Sequence, residues 1–154
     1  MLNHINHIGM KRKLIGLIAV ITGIFMVQAC EERNIDFDKL PGAAQSFIMT
    51  YFPDADVVRA ERDRDDGQKE YTVWLSDGTE IEFDENGSWT SIDCNTTVLP
   101  DGILPQKATD YIAQNYPQEK AYKVEKIRGG YEVGITNGLE LIFDSDWNFS
   151  RLDR

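Results

Sequence analysis

The chain has 154 residues, 16 of them basic and 26 acidic, for a formal net charge of −10. An acidic balance of this size argues against nucleic acid, whose affinity comes mainly from Lys and Arg contacts to phosphate. It favours solubility and basic or neutral partners. Two histidines and two cysteines leave little material for zinc or for a His-activated nucleophile.

The first predicted element is a leader. Residues Leu14 to Val27 form an apolar run, preceded by Lys11-Arg12-Lys13 and followed by Gln28-Ala29-Cys30. A charged start, an apolar middle and a small residue before the cut describe a signal peptide over residues 1–29. The run is short of the roughly 20 apolar residues that span a bilayer. Met10, directly before the basic triplet, is a more natural start than Met1. The segment Val27-Gln28-Ala29-Cys30 resembles a bacterial lipoprotein box, although Val27 and Gln28 depart from the usual residues. It implies cleavage before Cys30 and lipid on its thiol, each buried CH₂ adding about 0.8 kcal/mol of membrane attachment. Residues 30–36 then read as a polar tether, and the acidic pair Glu31-Glu32 is similar to surface-export signals of Bacteroidetes lipoproteins.

Removing the leader takes away both histidines, His4 and His7, and three basic residues. Thirteen basic residues then face twenty-six acidic ones, a net charge of −13. Cys94 is left without an intrachain partner, so no intrachain disulfide is expected.

The remainder, residues 37–154, repeats itself. LPGAAQSFIMTYFP at 40–53 aligns without a gap on LPQKATDYIAQNYP at 104–117. YTVWLSDGTEIEFD at 71–84 aligns on YEVGITNGLELIFD at 131–144. The first block predicts a helix in each copy. Pro41 and Pro105 suit a first helical turn, and Leu40, Ala44, Phe47, Ile48 and Tyr51 follow helical spacing. Pro53 and Pro117 end the helices. A four-stranded antiparallel meander follows. Its first strand is about Val57–Arg62 or Ala121–Ile127. In its second, Tyr71, Val73 and Leu75 alternate with Glu70, Thr72 and Trp74. Asp77-Gly78 and Asn137-Gly138 are hairpin signals of the type I′ kind. Ile81 and Phe83 mark the third strand, and Trp89 to Ile92 the fourth. The fold class is α+β, in two tandem units of about 37–93 and 101–154 joined by Asp93–Ile103. One unit of about 60 residues is marginal alone, so the two are expected to share a core or a sheet.

Duplicated LP…I…Y.P and Y.V.L.DG.E..FD blocks, each closed by an aromatic strand, resemble the PepSY-like family of β-lactamase-inhibitor-like periplasmic proteins common in Bacteroidetes. The resemblance covers about residues 37–154. It implies a long curved antiparallel sheet with helices on one face, no catalytic residues and no cofactor. It also implies a role in binding or restraining a peptidase or other hydrolase.

The carboxylates are numerous but weakly patterned. Asp63, Asp65, Asp66 and Gly67 miss the alternation and distal Glu of a calcium loop and suit a hairpin tip, so no metal site is expected. Glu80 and Glu82 share a strand face, but Glu82 becomes Ile142 in the second copy, which speaks for a solvated face rather than a glycosidase pair. Trp74 is the most informative departure between the copies, because its counterpart is Gly134. It alternates out of phase with Tyr71, Val73 and Leu75 and so points away from the helix. Exposed Trp is a typical interface anchor. Trp74, Thr72 and Trp89 are therefore the candidate binding residues, with Trp89 and Trp147 beside turns where a bulge would change their register. The expected function is a non-catalytic, lipid-anchored protein of the cell envelope, binding a protein or peptide. A small-ligand or polysaccharide-binding accessory module is the alternative.

Overall fold

The computed structural model describes residues 33–65 and 67–153; the expected leader, the expected lipidation site at Cys30 and Asp66 lie outside the described residues. Nine strands form one antiparallel sheet in strict chain order. They are β1 (Arg33–Asn34), β2 (Val57–Asp65), β3 (Gln68–Leu75), β4 (Glu80–Phe83), β5 (Trp89–Asp93), β6 (Ala121–Ile127), β7 (Gly130–Ile135), β8 (Glu140–Asp144) and β9 (Phe149–Asp153). Helix α1 (Gly42–Tyr51) precedes β2, and α2 (Gln106–Asn115) precedes β6.

Each helix begins directly after a proline and ends one residue before another. Phe52 and Tyr116, at φ −130° and −135°, already leave helical geometry ahead of Pro53 and Pro117. The helical stripe meets the sheet as its spacing dictates. Ala44, Ile48, Ala108 and Ile112 are buried, and the Phe47 and Tyr111 rings stand edge-on to Phe83 and Phe143 at 5.9 and 5.7 Å. Both helices thus cover the same face.

On that face one apolar row crosses the sheet. Ala60, Val73, Ile81, Ile92, Val124, Val133, Leu141 and Leu152 are successive cross-strand partners on β2 to β9. All are buried except Leu152, which is 37% exposed. The Ile92–Val124 step carries the row from the first helix-and-sheet set to the second, so the sheet and the core are both continuous. The linker is tied in too: the Cys94 and Leu99 amides donate to the Tyr122 and Ala121 carbonyls. Cys94 itself is fully buried, and burial pushes its thiol pKa up. That describes a packed thiol rather than a reactive one.

Two local expectations need correction. Arg33 and Asn34, read as tether, pair with Arg62 and Glu61 as an edge strand, and the Ile35 amide donates to the Ala60 carbonyl. A polar dipeptide carries no strand signal of its own; an unpaired β2 edge supplies the partner. The Asp77-Gly78 and Asn137-Gly138 turns are not type I′, which needs positive φ at both residues. Only Gly78 (+90°) and Gly138 (+82°) have it. Leu75 instead accepts from Gly78 and donates to Thr79, a three-residue loop closed by a glycine bulge. The Asp77 carboxylate, by accepting from the Thr79 amide, holds Asp77 out of the left-handed region.

The β4–β5 turn uses Gly87 at φ +80°, while the β8–β9 turn puts Trp147 in the matching place at φ +59°. A left-handed non-glycine residue costs about 1–2 kcal/mol. Trp147 recovers this by stacking on Tyr131, centroids 3.8 Å apart and planes within 12°. Trp147→Gly is expected to lower stability by about 1–3 kcal/mol, because lost aromatic burial exceeds the relieved strain. Denaturant melts showing a gain would reverse that ranking. Residues 33–95 expressed alone are expected to melt without cooperativity, since half of the apolar row is missing. A sharp thermal transition of that fragment would refute the shared core.

Candidate functional site

The face opposite the helices is covered by no other element among the described residues. Strand register lays two polar rows across it. One runs Glu61, Thr72, Glu82, Ser91, Glu125, Glu132, Ile142, Arg151. The next runs Arg59, Trp74, Glu80, Asp93, Lys123, Gly134, Glu140, Asp153. Carboxylates thus outnumber cations on this face, and only Arg59, Lys123 and Arg151 oppose them. Ile142, the apolar exception, is 4% exposed although it lies outside the helix-side core. Its cross-strand neighbours Glu132 and Arg151 have stems long enough to cover it.

Trp74 does point to this face, as its alternation predicts, but it is not a free ring. Its Nε1–H donates to Glu80 Oε2 at 2.7 Å, and the Arg59 guanidinium lies 4.5 Å from its ring centroid. Arg59 Nε in turn donates to Glu61 Oε1 at 2.7 Å. The series Glu61, Arg59, Trp74, Glu80 therefore spans three strands and presets one rotamer of each member. Thr72 sits in the adjoining row, half-buried between Glu61 and Glu82.

Trp89 belongs elsewhere. Through Phe83 it continues the helix-side row of Tyr71, across a register shift opposite Glu82–Phe83. Its ring approaches Tyr131 at 6.3 Å, and Lys126 Nζ lies 4.6 Å from its centroid. Trp89 is a half-buried packing residue at the junction of the two helix-and-sheet sets, on the opposite face from Trp74 and Thr72. The bulge at the turn, invisible in a simple alternation, moves it there.

In the second set the place of Trp74 is filled differently. A Cβ on Gly134 would come within 3.1 Å of Tyr122 Cζ, so the glycine makes room for the Tyr122 ring. Tyr122 comes from the register shift between Ala121 and Lys123, where the first set has exposed Val58. A cavity of about 380 Å³ lies between α2 and the linker, lined by Leu99, Leu104 and Ile112 among others.

Arg59, Glu61, Lys123 and Glu125 escaped the sequence reading. Counting outward from the Asp66-Gly67 turn would have set Arg59 opposite Trp74. The β5–β6 register, across a long linker, had no such guide. Among the described residues no three His, Cys, Asp or Glu side chains gather as a metal site. The crowded carboxylates nonetheless perturb one another. Burial, then Glu80, Glu125 and Glu70, raise the Glu82 pKa, with Lys123 opposing. Burial, then Glu140, Glu125 and Asp153, raise that of Glu132. Burial alone would lower the Lys123 pKa, but Glu125, Glu132 and Asp93 lift it above the ordinary lysine value.

A carboxyl whose pKa is higher in the folded than in the unfolded state binds protons better when folded. Its contribution is greatest below the unfolded value and is lost as pH rises through the folded one. Stability is therefore expected to fall as pH rises from about 4.5, the ordinary Glu range, toward neutrality. Glu82→Gln should flatten that slope and raise the melting temperature at neutral pH. Melts across this range with equal slopes in both proteins would contradict the coupling.

The family model described as "Putative beta-lactamase-inhibitor-like, PepSY-like" matches residues 21–68 and 69–151. No curated protein matches. Three solved structures are similar. A protein of the DUF2874 family from Bacteroides vulgatus, described as a "putative periplasmic protein", is 36% identical, with a TM-score of 0.78 over 82% of this chain and 99% of its own. A protein of Bacteroides thetaiotaomicron described as a "putative calcium-regulated periplasmic protein" is 35% identical, with a TM-score of 0.76 over 80% and 97%. A second protein of Bacteroides vulgatus, described as a "putative periplasmic protein of unknown function", is 35% identical, with a TM-score of 0.76 over 80% and 99%. With a family model matching most of its length and relatives of this identity sharing its fold, the chain belongs to the PepSY-like family.

Proposed function

We propose that this chain is a non-catalytic protein of the cell envelope that binds a basic segment of a protein or peptide on its open sheet face. The observation that carries the reading is a pair of acidic rows, one of which contains Trp74 held by Arg59 and Glu80, on a face that no element covers among the described residues. A broad strand surface suits a protein or an extended peptide better than a small molecule, which needs a concave site. The Arg59 guanidinium over Trp74 supports a surface on which a partner's Lys or Arg would meet an aromatic face. Relatives described as periplasmic support export, and the lipoprotein-like box at residues 27–30 supports a lipid anchor at Cys30. The two helix-and-sheet sets are read as copies of one unit, shaped together into a β-lactamase-inhibitor-like surface. Action on a peptidase or other hydrolase is the version that the family description favours.

The test is capture from envelope extracts by the chain lacking residues 1–29, followed by affinity measurement with the identified partner. Trp74→Ala is expected to weaken binding by about tenfold or more, and raised salt to weaken it further. Because one relative is described as calcium-regulated, the measurement is run with and without Ca²⁺, which would compete for the same carboxylates. Equal affinity of wild type and Trp74→Ala for every captured partner would end this proposal.

A further inference from the structure

The sheet's two edges are treated unequally. At one, β1 covers β2 at Glu61 and Arg62, and the Ile35 amide extends the cover to Ala60. At the other, no strand pairs with the outer side of β9 among the described residues. Open edges are usually shortened, bent or guarded by charge, because their backbone groups template pairing with another chain. In β9 only Phe149 is half-buried, while Ser150 to Asp153 are exposed. The apolar row that seals every other strand ends here on Leu152, still 37% exposed opposite buried Leu141.

We infer that β9 is a self-pairing edge, where a second copy of this chain docks antiparallel about a twofold axis at Leu152. The sequence around that axis is self-complementary. In this register Leu152 faces the other copy's Leu152 on the helix side, which carries the apolar row into the second sheet. Arg151 and Asp153, on the open face, each fall opposite the other residue of the second copy. They already lie 3.7 Å apart within one strand, so the two copies build an alternating square of four charges. Directly opposed unlike charges favour a cross-strand pair, and like charges oppose it. Centring one residue earlier would set Arg151 against Arg151, so charge selects the Leu152 register. Both copies contribute the same β9 edge, so pairing is isologous and closes at two copies. The two open faces then lie side by side on one surface. This inference does not depend on what that face binds.

Leu152→Cys, made in the full-length chain with Cys30→Ser as the background of every variant, tests the register directly. Cross-strand partners in an antiparallel pair are about 4.5–5.5 Å apart at Cα, within disulfide range. Mild oxidation is expected to give a covalent dimer that the Cys30→Ser chain alone and Ser150→Cys do not give; Cys94, being buried, contributes no background. Adding Arg151→Asp should cut dimer yield by about tenfold. Adding Asp153→Arg to that protein should restore it, because the swapped pair is again complementary. Unchanged melting temperatures confirm that the charge variants remain folded. Three results overturn the proposal: no Leu152→Cys dimer, a yield indifferent to charge reversal, or a cross-linked product of other than twice the chain mass.

Discussion

The interaction on which the structure depends is the single step from Ile92 to Val124. Without it, two meanders of four strands would each bury one short apolar row under one ten-residue helix, too little for a stable unit. With it, the row runs unbroken from β2 to β9, and both helices close over one core. The linker from Cys94 to Leu99 is fixed by amides bonded to the start of β6, which places β6 beside β5. Everything on the opposite face inherits this register. Lys123 stands next to Asp93, and Glu125 beyond Ser91, because Ile92 meets Val124 on the other side.

That inheritance explains the electrostatics. Strands are pleated, so fixing one face fixes the other, and the apolar row leaves no freedom to spread the carboxylates apart. Burial first, and then this crowding, raise the pKa values of Glu82 and Glu132, and Lys123 sits among acids from β5, β6 and β7. A protein selected for stability alone gains little from such crowding. A surface meant to receive a basic partner gains from it, since the partner's cations relieve the repulsion on arrival.

What was legible in the sequence follows from the range of each interaction. The helices, their proline limits and the inward faces of β3 and β4 rest on neighbours within about four residues, and spacing reveals them. Trp74 could be placed on the open face for the same reason. Trp89 could not, because its side is decided by a bulge opposite Glu82–Phe83. Nor could the acidic rows, whose members come from strands at opposite ends of the sheet and are aligned only by pairing. β1 was missed since its residues pair by availability rather than by propensity.

The comparison between the two helix-and-sheet sets then turns on a trade between Trp and Gly. The first set has Trp74 on its open face and Gly87 in its turn; the second has Gly134 and Trp147. Each exchange has a local consequence. Gly134 admits Tyr122, and Trp147 accepts left-handed strain to stack on Tyr131. The second set therefore spends its aromatic residues on packing and on the flank of α2. The first set keeps Trp74 on the open face, held by Arg59 and Glu80. Residues shared between the sets are those the helices, turns and core require, so selection for binding would have acted where they differ. Trp74 meets both conditions: it differs between the sets, and no packing in the helix-side core accounts for it.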